Sequence, residues 1–387
     1  MNPPSERTGL HRRAVLGAVA TLFGPGCIGS ENDGTDTEGG PSAWPSSGFD
    51  RRNRGNPGRG TIGRSFDRTW SFDLQSTPAT SPVVADGTIY LADRDRLRGI
   101  SLDEGESTGF DVDATVTGTP VVDEELVVPT KEDAGGRLLG INLSGSIEWT
   151  VDLPGGRPFS PSADEEGIVV RTLEATNYVR RDDDTILWSR TTPTVERAGR
   201  FRAVDSSPAL LDDLVVVPGP NGLRCRDRQT GDERWHDARG RVVGSPAVDG
   251  ETVFASFVGT GIVALDVRSG EERWSVDATG CWTSPAVGTD AVYATAGFEV
   301  LALDRDDGDT LWRFEEPGLR GDCYSNPVAL DTAVVTGSIG RSLTVLDSDD
   351  GERLFSVDGD GTHRSPAVVE DMLLVPNGSS LEAYQFE

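Results

Sequence analysis

The sequence predicts an all-β protein: an eight-bladed β-propeller of four-stranded antiparallel blades, closed by pairing of an N-terminal strand with the last blade. A unit of about 40 residues recurs along the chain, and a fixed period of that length is typical of stacked or circular repeats. Each unit opens with a small polar residue and a proline, and an aromatic residue marks its end. The opening pairs are Ser81-Pro82, Thr119-Pro120, Ser160-Pro161, Ser207-Pro208, Ser245-Pro246, Ser284-Pro285, Asn326-Pro327 and Ser365-Pro366. The aromatic residues are Trp70, Phe110, Trp149, Trp188, Trp235, Trp274, Trp312 and Phe355.

Within a unit, short apolar runs alternate with turn residues. The fifth unit, residues 245–277, contains three apolar, β-branched runs and then a tryptophan run. The turns between them are Asp249-Gly250, residues 259–261 and Ser269-Gly270. Runs of about four to seven residues bounded by Gly, Asp and Ser predict strands joined by hairpins, and none is long enough for an ordinary helix. Four antiparallel strands per unit predict a propeller blade.

The turn before the aromatic residue has nearly constant spacing. In most units a glycine stands four residues before the aromatic residue, and glycine can take the positive φ that a tight hairpin requires. The third unit has Asp184 there, a residue type that tolerates the left-handed region. Because the aromatic residue recurs in every unit, we interpret it as packing against the neighbouring blade rather than as a ligand-stacking site. The glycines are Gly145, Gly231, Gly270, Gly308 and Gly351.

The order of the markers predicts how the ring closes. Trp70 precedes the first Ser-Pro unit, whereas the last unit starts at Ser365 and reaches Glu387 without an aromatic strand. The strand around Trp70 is therefore predicted to complete the last blade, which leaves no long free edge. The blades are expected to span residues 66–387.

The units resemble pyrroloquinoline-quinone (PQQ)-type propeller repeats, whose consensus is similar to A-L-D-x-x-T-G-x-x-x-W. The matches run from Ala264 to Trp274, from Ala302 to Trp312 and, more weakly, from Val345 to Phe355. The resemblance implies the propeller fold for residues 43–387. It does not imply one function, because the family includes quinoprotein dehydrogenases as well as propellers without a cofactor.

A second resemblance lies upstream of the blades. Trp44-Pro45, Asp50, Asn53 and Gly55 are similar to the W-P-x-x-x-x-D-x-x-N-x-G opening segment of the family that includes the outer-membrane assembly propeller BamB. This resemblance implies a BamB-like propeller at the cell envelope.

The first residues are typical of export. Residues 1–27 are interpreted as a twin-arginine-type lipoprotein signal, since Arg12-Arg13 precede a short apolar stretch. Cys27 resembles a lipobox cysteine and is the expected lipidation site; the alternative is an ordinary signal with a stray cysteine. Residues 28–42 are polar and glycine-rich, which predicts a flexible linker. The propeller is therefore expected outside the cell, anchored to the outer face of the cytoplasmic membrane.

The charge balance excludes one class of partner. The net charge is −28, with 64 acidic and 36 basic residues, and Lys131 is the only lysine. Such a surface resembles the proteins of salt-loving archaea, where high ionic strength screens self-repulsion. Nucleic-acid binding is not expected, because it needs a basic surface.

Known catalytic patterns are absent from the sequence. His11 lies in the signal, which leaves His236 and His363 too few for a three-histidine metal site. There is no P-loop, Rossmann fingerprint or C-x-x-C, and the acidic turns lack the EF-hand spacing. Quinoprotein alcohol dehydrogenases typically carry adjacent cysteines over PQQ, with Glu, Asn and Asp near calcium, and this chain has no adjacent cysteines. No catalytic residue, metal site or cofactor is assigned.

Two cysteines stand at the same place in neighbouring units. Cys281 and Cys323 each lie four residues before the proline, and an exported protein permits a disulfide between them. The alternative is two buried free thiols. Cys225 aligns with Ala264, a small core position, and is expected to pack.

One side of the ring carries an aromatic cluster. Trp282, Tyr324 and His363 share one register, with Asp322 and Arg364 close in sequence. This cluster predicts a peptide- or ligand-binding groove at the mouth of the central channel. The alternative is local packing that fills the channel.

Taken together, the sequence favours a lipid-anchored, monomeric, non-catalytic scaffold that binds envelope or membrane proteins. Two alternatives remain open: a PQQ- and calcium-dependent sugar or alcohol dehydrogenase, and a ligand sensor that uses the aromatic cluster.

Overall fold

The computed structural model describes residues 43–58, 62–63, 65–93, 95–132, 135–192, 206–315, 325–338, 341–361 and 364–386. Every regular element in these ranges is a β-strand, and none is a helix. Accordingly, no described segment is an apolar helix of membrane-spanning length.

The first part of the chain forms one strand, which belongs to blade 8, and four complete blades. Strand β1 (Phe66–Asp73) comes first. Blade 1 consists of β2 (Val83–Ala85), β3 (Thr88–Asp93), β4 (Arg96–Ser101) and β5 (Ser107–Asp113). Blade 2 consists of β6 (Val121–Val122), β7 (Glu125–Glu132), β8 (Gly135–Asn142) and β9 (Ile147–Leu153). Blade 3 consists of β10 (Ser162–Ala163), β11 (Gly167–Arg171), β12 (Ala175–Arg180) and β13 (Ile186–Thr191). Blade 4 consists of β14 (Ala209–Leu210), β15 (Leu214–Gly219), β16 (Gly222–Asp227) and β17 (Glu233–Asp237).

The second half forms the other four blades. Blade 5 consists of β18 (Arg241–Val242), β19 (Ala247–Asp249), β20 (Thr252–Val258), β21 (Gly261–Asp266) and β22 (Glu272–Asp277). Blade 6 consists of β23 (Ala286–Val287), β24 (Ala291–Ala296), β25 (Glu299–Asp304) and β26 (Thr310–Glu315). Blade 7 consists of β27 (Val328–Ala329), β28 (Ala333–Ser338), β29 (Arg341–Asp347) and β30 (Arg353–Asp358). Blade 8 consists of β31 (Ala367–Val369), β32 (Met372–Asn377) and β33 (Ser380–Phe386), together with β1.

These sheets confirm the predicted eight-bladed, four-stranded architecture. In blades 1 to 7 the strands pair antiparallel in chain order, from a short inner strand to an outer strand, and in blade 8 the first strand of the chain, β1, forms the outer strand. Blade 5 carries one addition, because β18 pairs with the far end of β20 beyond β19.

The predicted closure of the ring is also confirmed. Strand β1 pairs antiparallel with β33 over its whole length, and Trp70 lies opposite Ala383. The first and last strands of the propeller therefore share blade 8. Because β1 supplies the outer strand that the final repeat lacks, the ring is held shut by backbone hydrogen bonds.

Five of the eight aromatic residues join their blade to the next. Trp274 Nε1 of blade 5 donates to the carbonyl of Arg305 in blade 6 at 3.0 Å. Gly308 of blade 6 lies against the same indole with φ +80, and a Cβ there would come within 2.8 Å of the ring. Glycine is therefore required both by the turn and by the close approach of the indole. The same pairing joins Trp70 to Gly105, Trp188 to Gly231, Trp235 to Gly270 and Trp312 to Gly351.

The other aromatic residues pack differently. Trp149 Nε1 donates to the Glu125 carboxylate of its own blade, at 2.9 Å to the nearer oxygen. Phe110 packs edge-on against Tyr90, and Phe355 stacks on Phe66 with ring centroids 4.2 Å apart.

The polar residue before the proline links six pairs of neighbouring blades at the axis. The N–H of Ser245 donates to Ser284 Oγ at 2.7 Å, and the N–H of Ser284 donates to Asn326 Oδ1 at 2.9 Å. The same bond closes the ring, from the N–H of Ser365 in blade 8 to Ser81 Oγ in blade 1 at 3.0 Å. A short side chain with an oxygen acceptor is needed for this bond, which explains why Ser, Thr and Asn recur before proline.

Candidate functional site

The central channel has two ends of different character. The inner strands line the axis, so residues before each repeated proline lie toward one end and residues after it toward the other. We name the first end the channel mouth, defined by the two positions before the Ser/Thr/Asn-Pro pair, such as Trp282 and Thr283. We name the second end the channel base, defined by the second and third residues after the proline, such as Ala163 and Asp164.

The channel base is closed by residues 44–56, which we name the plug. Plug carbonyl oxygens accept hydrogen bonds from the second residue after the proline in six blades, at 2.8–2.9 Å. These N–H groups lie on the inner edge of the sheets, where no further strand is available to pair with them. The plug therefore satisfies backbone donors that would otherwise be left unpaired. The donor–acceptor pairs are Val84–Trp44, Val122–Pro45, Leu210–Arg51, Val248–Arg52, Val287–Arg54 and Ala329–Gly55.

Two residues of the W-P-x-x-x-x-D-x-x-N-x-G pattern shape the plug. Asn53 is buried with φ +57, and its Nδ2 donates to the carbonyl of Pro208 at 3.1 Å. Asn53 Oδ1 accepts from Ser207 Oγ at 2.7 Å. Asp50 Oδ1 accepts from the N–H of Arg52 at 2.9 Å, and Asp50 Oδ2 accepts from Arg54 Nε at 2.6 Å. The pattern thus builds the turns of the plug.

A carboxylate of blade 3 fastens the plug to blades 3 and 4. Asp164 accepts from Arg228 of blade 4 through two bonds of 2.9 and 2.6 Å, and from Arg51 of the plug at 2.6 Å. Arg228 is 1% exposed and also donates to Tyr178 Oη at 2.8 Å. Burial alone would raise the pKa of Asp164, but hydrogen bonding and the charge of Arg228 outweigh it, so this pKa lies below the ordinary value.

An equivalent carboxylate fastens the plug two blades further on. Asp249 of blade 5 occupies the same position after its proline as Asp164 does in blade 3. It pairs with Arg305 of blade 6, and its Oδ1 lies 3.6 Å from Nη1 of Arg54 in the plug. Sequence reasoning assigned no role to these pairs. Their signal is an Asp three residues after the proline, together with an Arg in the following blade.

Two members of the predicted aromatic cluster, Trp282 and Arg364, lie among the described residues at the channel mouth. Trp282 is half-buried, and the Arg241 guanidinium lies over its ring at 5.4 Å. Arg364 is half-buried, and its Nε donates to the carbonyl of Pro78 at 3.3 Å. Trp282 and Arg364 thus contact different neighbouring segments. The other predicted members, Asp322, Tyr324 and His363, lie outside the described residues.

The predicted disulfide and lipidation site also involve residues beyond the described ranges. Cys281 is fully buried, forms no disulfide with another described residue, and burial raises its pKa to about 12. Its predicted partner Cys323 lies outside the described residues, so the bridge stays a prediction. Cys27 lies outside them as well. Cys225 is fully buried in the core between blades 4 and 5, and it also forms no disulfide with another described residue.

A cleft of about 470 Å³ opens beside the channel mouth, between blades 5 and 6. We name it the rim cleft. It lies around residues 277–279, which lead directly to Cys281, and Arg313 forms an ion pair of 3.3 Å with Glu299 at one wall. Phe298, in the turn next to Glu299, is 40% exposed. The lining residues are Gly259, Thr260, Asp277, Ala278, Thr279, Ala296, Glu299 and Arg313.

The described residues do not supply the ligand set expected from the sequence for a quinoprotein dehydrogenase. Within the described ranges, no three His, Cys, Asp or Glu side chains come together in a group that could hold a metal ion. The chain has no adjacent cysteines to cover a quinone. Neither half of the expected site, metal ligands or cysteine pair, is therefore provided by the described residues.

Comparison with protein families decides the relationship. A family model described as outer membrane protein assembly factor BamB matches residues 108–313 and 296–386. The matches cover more than half of the chain. The chain belongs to this family of PQQ-repeat β-propellers. The BamB-family match includes the repeats from the end of blade 1 to β33 in blade 8. Among the curated proteins, none matches the chain.

Solved structures of very different function share the fold. BamB from Moraxella catarrhalis superposes with a TM-score of 0.71 at 18% identity, covering 83% of this chain and 100% of that chain. Quinohemoprotein alcohol dehydrogenase ADHIIG from Pseudomonas putida HK5 superposes with a TM-score of 0.71 at 12% identity, covering 90% of this chain and 80% of that chain. The computationally designed Ika8 protein superposes with a TM-score of 0.65 at 14% identity, covering 82% of this chain and 99% of that chain. Identities this low show the fold alone.

Proposed function

We propose that this protein is a non-catalytic scaffold at the cell envelope that binds other proteins through the mouth side of the propeller. Membership of a family described as an outer membrane protein assembly factor carries the proposal. An assembly factor must contact the proteins that it helps to assemble.

The binding surface follows from the difference between the two channel ends. The plug covers the inner edges at the channel base. On the mouth side, by contrast, turns between the second and third strands expose large apolar side chains, with Leu173 at 52% and Phe298 at 40%. Exposed apolar residues beside a polar cleft are typical of protein-binding surfaces. The rim cleft next to Phe298 is the proposed contact region.

A cross-linking experiment with matched variants tests this surface. The full-length protein is expressed in its own host, or in another host that grows at high salt, and is cross-linked in intact membranes. Phe298→Ser is expected to lose the specific cross-linked products. Leu187→Ser is the matched control, because Leu187 is 39% exposed on the outer strand of blade 3. Unchanged products in Phe298→Ser would show that the rim cleft is not the contact region.

A second candidate function is a quinoprotein dehydrogenase, the enzyme class whose repeats the PQQ-type units of this chain resemble. It is tested by dye-linked oxidation of alcohols and sugars after addition of PQQ and calcium, and by titration of tryptophan fluorescence with PQQ. The scaffold proposal predicts no turnover and no saturable quenching. Turnover that depends on PQQ would replace the scaffold by the enzyme.

The location belongs to the same proposal. We propose export by the twin-arginine pathway and anchoring by a lipid on Cys27, with residues 28–42 as the tether. Cys27→Ser is expected to move the protein from the membrane fraction to the medium, because the lipid would supply the membrane affinity. Retention of Cys27→Ser in washed membranes would contradict the anchor.

A further inference from the structure

Arg171 is a large cation at a position where the other blades have small residues. In strand β11, Arg171 lies two residues after Val169. Val169 pairs with Ser162, which is the first residue after the repeated proline of blade 3. The other seven blades have Ala, Pro, Ser, Thr or Gly at this position. The equivalents are Ala92, Pro129, Pro218, Ser256, Thr295, Gly337 and Pro376.

The Arg171 guanidinium is buried between blades 3 and 4 at the channel mouth. It stacks on the Phe159 ring at 3.9 Å, and its Nη2 donates to Ser206 Oγ at 3.2 Å. Phe159 and Ser206 each stand two residues before a repeated proline, which places the guanidinium at the mouth end. The residue is 8% exposed, and Nε is buried without a hydrogen-bond partner among the described residues.

This guanidinium has no counterion in the described part of the chain. Burial is the only cause that lowers the pKa of Arg171, to about 10, so the group stays charged at neutral pH. Arg228, in the same blade interface, is also buried but has the Asp164 carboxylate in bidentate contact. Arg228, which holds the plug and blades 3 and 4 together, therefore has a carboxylate partner from the chain itself, whereas Arg171 has none among the described residues. A protein with a buried cation that lacks a counterion is less stable than the same protein with an apolar side chain of similar size at that position.

We propose that Arg171 binds a carboxylate group of a ligand at the channel mouth between blades 3 and 4. The guanidinium offers N–H donors in a planar fork that matches a carboxylate, and the Phe159 ring beneath it holds that fork in place. One isolated positive charge matches a singly charged carboxylate better than a phosphate dianion. This inference goes beyond the proposed scaffold, because it assigns a ligand group whether a free acid or a protein chain carries it.

Arg171→Met tests the site without a loss of packing volume. Thermal unfolding of the full chain is followed at constant ionic strength, with chloride exchanged for acetate, benzoate or inorganic phosphate. Acetate and benzoate are expected to raise the melting temperature of the wild type with dose, because a ligand that binds only the folded state stabilises it. Arg171→Met is expected to keep or raise the ligand-free melting temperature and to weaken carboxylate binding by roughly tenfold to hundredfold. Arg268→Met, which removes a 66% exposed arginine side chain, should respond like the wild type.

The source of the carboxylate is resolved by a peptide pair. A tripeptide with a free C-terminal carboxylate is compared with its C-terminal amide and with benzoate, by calorimetric titration. Tighter binding of the free tripeptide indicates a protein chain end, and tighter binding of benzoate indicates a free organic acid. The proposal is overturned if the wild type binds none of the carboxylates, if phosphate binds more tightly than they do, or if Arg171→Met retains the full response.

Discussion

Asp164→Asn is the substitution that most directly tests how the plug is held. The change keeps the size of the side chain but removes the charge that Arg228 and Arg51 share. Arg228 would then be a buried cation without its bidentate partner, since only 2% of its side chain is exposed. Losing one partner of a buried ion pair typically costs about 3–5 kcal/mol.

The structure places the expected cost at the lower end of that range. After the substitution, Arg228 would keep its bonds to Tyr178 Oη at 2.8 Å and to the carbonyl of Leu211 at 3.2 Å. Glu166 Oε2, 3.3 Å from Arg228 in an exposed side chain, would supply part of the missing charge. We therefore expect Asp164→Asn to lower the free energy of unfolding by about 3 kcal/mol.

Urea unfolding at fixed potassium chloride concentration measures this loss. Asp212→Asn is the control, because the Asp212 side chain is 79% exposed in its pair with Arg51, and removal of an exposed pair should cost less than about 1 kcal/mol. Equal losses in the two variants would refute the reasoning, because burial of Arg228 would then have no measurable energetic consequence.

The same pair sets a pH dependence. The pKa of Asp164 lies below its unfolded value of 3.8, so its stabilising effect is present above that pH and is lost as pH falls through the folded pKa. The difference in unfolding free energy between wild type and Asp164→Asn should therefore shrink as pH falls below about 4. A difference that stays constant from pH 5 to pH 2 would contradict the assignment.

Two further predictions concern the blades. Gly308→Ala should lower the unfolding free energy by roughly 1–3 kcal/mol more than Gly250→Ala, in urea unfolding. Both glycines have positive φ, but a Cβ at Gly308 would meet Trp274, whereas nothing lies within 4 Å of one at Gly250; equal losses would argue against that clash. Cys281 should resist thiol reagents in the native protein at pH 8, because burial raises its pKa to about 12. After unfolding without reductant, alkylation of Cys281 would count against the predicted bridge to Cys323, and resistance would support it.

The architecture was predictable because the same residue types recur at the same positions in successive units. A small polar residue before proline, a turn residue with positive φ and a large aromatic residue each satisfy one local requirement, and these requirements recur from blade to blade. Trp70 before the first pair and the truncated last repeat were enough to predict the pairing of β1 with β33. The extra strand β18 had no such signal, because Arg241–Val242 lies outside the repeated pattern.

The sites were much less predictable, because they depend on departures from the repeat. Asn53 and Asp50 were recognised only as a resemblance, since their partners lie more than 150 residues away or within the plug backbone. Arg171 stands out only after the cross-strand register shows which residues of the other blades are equivalent. The predicted cluster at the channel mouth rested on a shared register, which fixes height along the axis but not side-chain contacts.

Residues at the channel base that differ from blade to blade explain how a nearly eightfold ring binds a single plug in one orientation. Backbone bonds alone would allow the plug to sit in any of eight rotations, because every blade offers the same N–H group. Asp164 and Asp249 remove this ambiguity: they lie two blades apart, and they pair with Arg51 and Arg54, three residues apart in the plug. A rotation by one blade in one direction would place Arg51 beside Leu211 and Arg54 beside Gly288, which have no charge. In the other direction Arg51 would lie beside Asp123 but Arg54 beside Leu211, so only the observed register forms both ion pairs. The two ion pairs therefore specify which blades the plug residues contact. Charged and polar residues set the register of coiled coils in the same way.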